Sequence, residues 1–186
     1  MDIKLPDAIL KGMKSLEECI YERESVRNYK NKEIEIEKVS QILWASQGKK
    51  GHKRTVPSAG ATFPLEIYVN LKNKGFYHYN FENHILKLII DNDLSKKLSE
   101  ASWNQVFISK AYLIIIICAI FERTTQRYGQ RGVRYVFMEV GHCAQNIHLE
   151  AVSLGLCSVP IGAYEDNKVK EVLNLKKKLT LSILYQ

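Results

Sequence analysis

What this chain does without narrows its chemistry quickly. Its ten glycines never fall into G-x-G-x-x-G or G-x-x-x-x-G-K-[ST], so no glycine-rich backbone nest is present to hold a phosphate. No G-x-S-x-G elbow presents a nucleophilic serine, which leaves Ser58 without a local claim to that role. Neither C-x-x-C nor H-x-x-x-H occurs. His142 and His148, placed on one helix, stand about 240° apart at ~100° per residue, so one metal ion cannot take both, and no metal site is expected. The four cysteines are widely spaced, and reduced thiols in a cytoplasmic protein fit them better than disulfides. The longest apolar run, AYLIIIICAIF from Ala111 to Phe121, is too short to span a bilayer. The opening MDIKLPDAIL carries Asp2, Lys4, Pro6 and Asp7 where a secretory signal would be apolar, so no membrane partner is expected.

What is present is an ordinary globular balance, 46% hydrophobic and 25% charged over 186 residues, which suits one domain, 1–186, with a sizeable core. A formal charge of +7 favours an anionic partner: a nucleic acid, a cofactor or an acidic substrate. Two runs carry much of it, Lys49-Lys50-Gly51-His52-Lys53-Arg54 and Lys176-Lys177-Lys178. Neither has the interleaved aromatics of a base-stacking surface, so both read as solvated connections, and a basic nucleic-acid-binding module stands only as a non-enzyme rival.

Periodicity and stop signals order the chain. Ser15 and Glu18 form a capping-box pattern ahead of a helix over 16–21. A second helix spans 36–47, with Val39, Ile42, Leu43 and Ser46 on one face, and Gly48 ends it. Residues 49–64 read as a long loop, the kind that carries function. Strands are expected over 65–71, 75–80, 84–90 and 111–121, with short helices between the last two. Apolar residues at 133, 136, 137, 140, 144, 147, 151 and 154 predict a long amphipathic helix stopped by Gly155. Gly141, in its middle, costs about 1 kcal/mol against Ala; close packing within the subunit or across a dimer would explain it. A strand at 156–160, a helix at 166–174 and a strand at 179–185 complete the chain.

Within this frame, Arg23, Ser25 and Arg27 alternate in YERESVRNY. On an extended segment they point the same way, and two guanidinium groups with a hydroxyl suit a phosphate. Pro57-Ser58-Ala59-Gly60-Ala61 follows, a small-residue stretch whose backbone can press against a flat ring. Together they point to a nucleotide-like cofactor.

RESVRNY, PSAGATFPLEIYV and GHCAQNIHLEAVSLGLCSVPIGAY, in that order, resemble the FMN-dependent nitroreductase family from about Leu16 to Tyr185. PSAGATFPLEIYV together with FERTTQRYGQRGVRY and GHCAQNI is most similar to its SagB-type branch, which includes peptide azoline dehydrogenases. The resemblance implies an α+β fold, a central mainly antiparallel sheet packed with helices, in a homodimer with flavin sites at the interface. It implies that Arg23, Ser25 and Arg27 hold the FMN phosphate and that Pro57, Ser58, Ala59 and Gly60 lie along the ring from the other subunit. Asn104, or its neighbour Gln105, would bond the pyrimidine side. Ile161, Gly162 and Ala163 would bring a backbone N–H to flavin N5. Two departures stand out. Phe107 occupies the position where many relatives place a lysine near flavin N1, leaving Lys110 or a helix N-terminus as the substitute. The basic pair that relatives carry near the C-terminus has no counterpart up to Gln186, with Lys176 to Lys178 as the nearest cations.

The implied activity is an NAD(P)H-driven, ping-pong two-electron reduction of a small nitroaromatic or quinone-like acceptor. No side chain is required as acid or base, and NADH or NADPH is the donor. Arg123, Tyr128, Arg131 and Arg134 either line the acceptor pocket or form a solvated cationic stretch. The alternative activity is oxidation of an azoline in a modified peptide.

Overall fold

The computed structural model describes residues 1–30, 32–174 and 180–185, the last segment by its backbone alone; Lys176 to Lys178 lie outside the described residues. In chain order the elements are β1 (Ile3–Lys4), α1 (Leu16–Glu22), α2 (Ile36–Gln47), β2 (Lys49–Lys50), β3 (Lys53–Arg54), β4 (Leu65–Leu71), β5 (Gly75–Asn80), β6 (Ile85–Ile90), α3 (Ser95–Ala101), α4 (Val106–Lys110), β7 (Leu113–Ala119), α5 (Glu122–Tyr128), α6 (Arg131–Ser153), β8 (Pro160–Ile161), α7 (Asp166–Leu173) and β9 (Thr180–Tyr185).

The main sheet runs β1-β6-β5-β4-β7-β9-β8, with every neighbouring pair antiparallel. Strands β4 and β7 form its centre, in register from Leu65 opposite Ala119 to Leu71 opposite Leu113. Because side chains alternate across a strand, the isoleucine run of β7 feeds both faces. Ile115 and Ile117 join Ile67 and Val69 against α2 and α6, while Ile114, Ile116 and Cys118 pack with Leu98, Ile108 and Val169 of α3, α4 and α7. Each fully buried isoleucine is worth about 1.5–3 kcal/mol, so this strand anchors both layers. The expected α+β layering is present.

Local signals placed several elements well. Ser15 accepts from the Glu18 N–H at 3.1 Å and Glu18 accepts from the Ser15 N–H at 2.7 Å, the reciprocal box that starts α1. Three expectations need correction. The loop over 49–64 contains a two-stranded hairpin, β2–β3, that turns at left-handed Gly51, φ 61°. The polar stretch after β7 forms α5, which no apolar stripe announces. The strand expected over 156–160 shrinks to Pro160–Ile161, preceded by a single parallel bridge from Ser158 to Ser25.

Candidate functional site

Helix α6 organises the candidate residues into two groups. One lies beside its C-terminal half. The chain leaves α1 at Arg23 and runs extended, bridging Ser25 to Ser158, with the Val26 N–H donating to the Ser158 carbonyl at 3.1 Å. His148, 3% exposed, ties this corner down: one guanidinium nitrogen of Arg23 lies 3.4 Å from its Nε2, and Ser158 Oγ lies 2.6 Å from its Nδ1. A guanidinium can only donate, so in neutral His148 the Nε2 accepts and Nδ1–H donates to Ser158. Burial, and next the Arg23 charge, lower the His148 pKa and favour that neutral form. Arg27 sets its guanidinium 6.0 Å from the centroid of Phe107 on α4.

The same group takes in the other two segments. Gln105 donates its side-chain amide to the carbonyls of Ser102, at 2.9 Å, and Ala163, at 2.8 Å, which fastens the turn before α4 to the turn after β8. Its neighbour Asn104 is exposed and left-handed, φ 57°. Of the two candidates, Gln105 spends its donors on the fold and Asn104 keeps its side chain outward. Ile161 is buried, whereas Gly162 and Ala163 are exposed. A Cβ built on Gly162 would meet nothing within 4 Å, so the fold itself does not demand glycine there.

The second group is the 57–63 loop, beside the N-terminal half of α6. Gly60, Ala61 and Phe63 all have left-handed φ, at 57°, 53° and 44°, and strain of this kind persists only when surroundings enforce it. Four contacts do so. Ser58 Oγ accepts from the Phe63 N–H at 2.9 Å, Thr62 meets Thr124 at 2.8 Å, Arg123 donates to the Phe63 carbonyl at 3.0 Å, and Arg127 donates to the Gly60 carbonyl at 3.1 Å. Three of these come from α5. Gly60 is glycine for the fold's own sake, since a Cβ there would lie 2.5 Å from Tyr128 Oη.

Part of the basic run serves this loop. The Arg54 guanidinium stacks over Phe81 at 3.6 Å and Phe63 at 4.5 Å and donates to Gln47, while Lys49 pairs with Glu82. Arg123 also pairs with Glu66 at 2.6 Å. Arg131 and Arg134, with Phe137 and Met138, line a groove of about 760 Å³ on the exposed flank of α6.

The sequence reading weighed His148 only as a metal ligand and set it aside, and it missed Ser158, Thr124 and Glu139. Glu139 left a signal, since it occupies the buried spacing 136, 139, 140, 143 in an otherwise apolar series. It is 2% exposed, and its carboxyl faces Ser58, Arg54 and Gln47, with burial lifting its pKa to about 7.

The residues present fit a flavin mononucleotide. Neither Arg23 nor Arg27 has a carboxylate partner among the described residues, and Gly162 leaves room for close approach. Glu139 and His148 are nine residues apart on α6, roughly 180° around the helix and about 13 Å along it. The 57–63 loop and the Arg23–Arg27 segment therefore occupy opposite flanks of α6.

A family model described as the nitroreductase family matches residues 20–185. The chain belongs to the nitroreductase family. The chain is 45% identical over 185 residues to MJ1384 of Methanocaldococcus jannaschii, a provisionally named nitroreductase, covering 95% of this chain and 91% of that one. It is 27% identical over 161 residues to the Microcin B17-processing protein McbC of Escherichia coli, covering 81% of this chain and 59% of McbC. Among solved structures, a provisionally assigned nitroreductase from Ralstonia eutropha JMP134 superposes with a TM-score of 0.88 at 25% identity, over 100% of this chain and 87% of the other.

Proposed function

We propose that this family member is an FMN-dependent oxidoreductase that takes electrons from NADH or NADPH and passes them to a small acceptor such as a nitroaromatic or a quinone. The observation that carries this reading is the pair of guanidinium groups on one extended segment, Arg23 half-buried and Arg27 exposed, neither ion-paired with a carboxylate among the described residues. Arg23, Ser25 and Arg27 would bind the phosphate with charge-assisted hydrogen bonds. Asn104 would bond the pyrimidine edge, with Gln105 and Ala163 fixing the turn that carries it. The backbone of Gly162 would face N5, between Ile161 and Ala163. FMN supplies the two-electron chemistry when bound; the protein supplies binding and orientation.

The loop of Pro57, Ser58, Ala59 and Gly60 stands on the other flank of α6 from the phosphate residues. A ring that touches both sets is best served by two copies of the chain, each giving one set to a shared site. Two other features favour a homodimer. Phe137 and Met138 are 55% and 52% exposed, and a Cβ on Gly141 would meet nothing within 4 Å of its own subunit, which leaves the partner helix as the reason for that glycine. Donor and acceptor would then use one cleft in turn, with Tyr128, Arg131 and Arg134 near its rim.

The test is direct. Purified protein supplied with FMN should turn yellow, bleach anaerobically with a nicotinamide donor and recover colour with an acceptor. Protein that stays colourless in excess FMN overturns the cofactor assignment. Protein that binds FMN but ignores both nicotinamides, yet oxidises an azoline-bearing peptide, selects a second reading. That reading, an azoline-to-azole peptide dehydrogenase of the SagB type, is favoured by the similarity to McbC.

A further inference from the structure

Behind the 57–63 loop lie two buried polar atoms that face each other's residues without reaching good hydrogen-bond geometry. Oε1 of Glu139 on α6 and Nε2 of Gln47 at the end of α2 have no hydrogen-bond partner, although their residues are 2% and 1% exposed. One is an acceptor or, when protonated, a donor; the other is a donor. They belong to two helices that pack on each other. Leaving such groups unpaired costs about 1–3 kcal/mol each. Ser58, whose Oγ accepts from the Phe63 N–H, faces the same carboxyl and has its own proton to offer. Glu139 thus touches the loop through the residue that holds its most strained turn.

We propose that Glu139 is the positioning residue of the 57–63 loop, and that its carboxyl takes up a proton as the loop closes on its ligand. The ionised carboxylate draws the Ser58 hydroxyl and the Gln47 amide toward itself. The neutral acid loosens that pull, so the position of Ser58, whose Oγ accepts from the Phe63 N–H, follows the protonation of the carboxyl. A ligand lying across the loop excludes water and so favours the neutral acid further. The proton comes from solvent and no bond other than the carboxyl O–H is formed.

The surroundings make this proton exchangeable near neutrality. Burial is the dominant influence on the Glu139 carboxyl and raises its pKa to about 7; Ser58, then Arg54, then Gln47 pull the other way. Arg54 on β3 is the charged group that faces it. Glu66 of β4 and Arg123 of α5 act on that same guanidinium. On α6 itself, Cys143 lies one turn on, its thiol held up by burial and by the Glu139 charge.

The inference rests on the cofactor reading only for the identity of the ligand. Calorimetric titration with FMN at pH 7, in buffers of different ionisation enthalpy, counts the protons taken up. Wild type should take up a fraction of a proton that Glu139→Gln does not, and its affinity should fall by up to ~tenfold per pH unit above neutrality. The variant should follow only the ligand's own ionisation. Equal proton uptake in both proteins overturns the proposal. If FMN does not bind wild type, the cofactor reading fails and the loop is examined without it: the backbone amide resonance of Phe63 should titrate near pH 7 in wild type and not in Glu139→Gln. A Phe63 amide indifferent to pH in wild type overturns the proposal. Ser58→Ala should abolish the Phe63 titration while the carboxyl still titrates, separating positioning from mere burial.

Discussion

Gln105 reaches across the molecule to Ala163, its side-chain amide 2.8 Å from the carbonyl, and so welds together two segments that sequence spacing leaves 58 residues apart. The neighbouring Asn104 takes no part. Replacing Gln105 with Ala removes two hydrogen bonds and should cost about 1–3 kcal/mol in urea unfolding. Asn104→Gly, which keeps the left-handed backbone accessible, should stay within about 0.5 kcal/mol of wild type while weakening FMN binding. If the two variants exchange these behaviours, the division of labour is wrong.

Arg23 and Arg27 differ in a way that mutation should expose. Each charge-assisted phosphate contact is worth about 1.5–3 kcal/mol, so either alanine should weaken FMN binding roughly 10- to 150-fold by fluorescence quenching. Arg23 also donates to buried His148, and its loss should lower apoprotein stability as well. Arg27 leans on Phe107, where its removal should leave stability nearly unchanged. FMN affinity indifferent to both substitutions would discard the phosphate clamp.

The parts legible from sequence are those written in hydrophobic period. The isoleucines of β7 and the 3.6-residue spacing of α6 announce buried elements, because burial fixes which positions must be apolar. Helix α5 has no such stripe. Its Arg123, Thr124 and Arg127 face the 57–63 loop with polar bonds, so nothing in its periodicity sets it apart from solvated chain. Gly60 was legible within a run of small residues, whereas the approach of Tyr128 Oη, 2.5 Å from a Cβ built there, is something only tertiary structure brings about. In the same way, the alternation of Arg23, Ser25 and Arg27 predicts a shared direction, while the separation of this segment from Ser58 by the width of α6 is a property of the assembled helix.

Gly141 offers a test of the shared site. Within the subunit a side chain there meets open space, so Gly141→Ala should stabilise the isolated helix by about 1 kcal/mol. Gly141→Leu should fold equally well. Against a partner helix the larger side chain holds the two chains apart, and sedimentation should show the dimer giving way to monomer with FMN affinity falling in parallel. A Leu variant that dimerises and binds FMN as wild type does would remove this helix face from the interface.

Two buried groups on α6 should tilt stability with pH in opposite senses. The Glu139 carboxyl has its pKa raised by burial from 4.5 to about 7, so the folded state holds a proton that the unfolded chain gives up. Its contribution is intact below about pH 4.5 and is lost as pH rises through 7. His148 has its pKa lowered from 6.5, first by burial and then by Arg23; its contribution is present above 6.5 and is lost as pH falls. Glu139→Gln should therefore gain about 1–3 kcal/mol over wild type at pH 8 and almost nothing at pH 4. His148→Gln should flatten the acid side of the wild-type profile and leave the alkaline side alone. Urea midpoints at four pH values decide the matter, since a Glu139→Gln variant equally displaced at every pH would mean that the carboxyl carries no proton near neutrality.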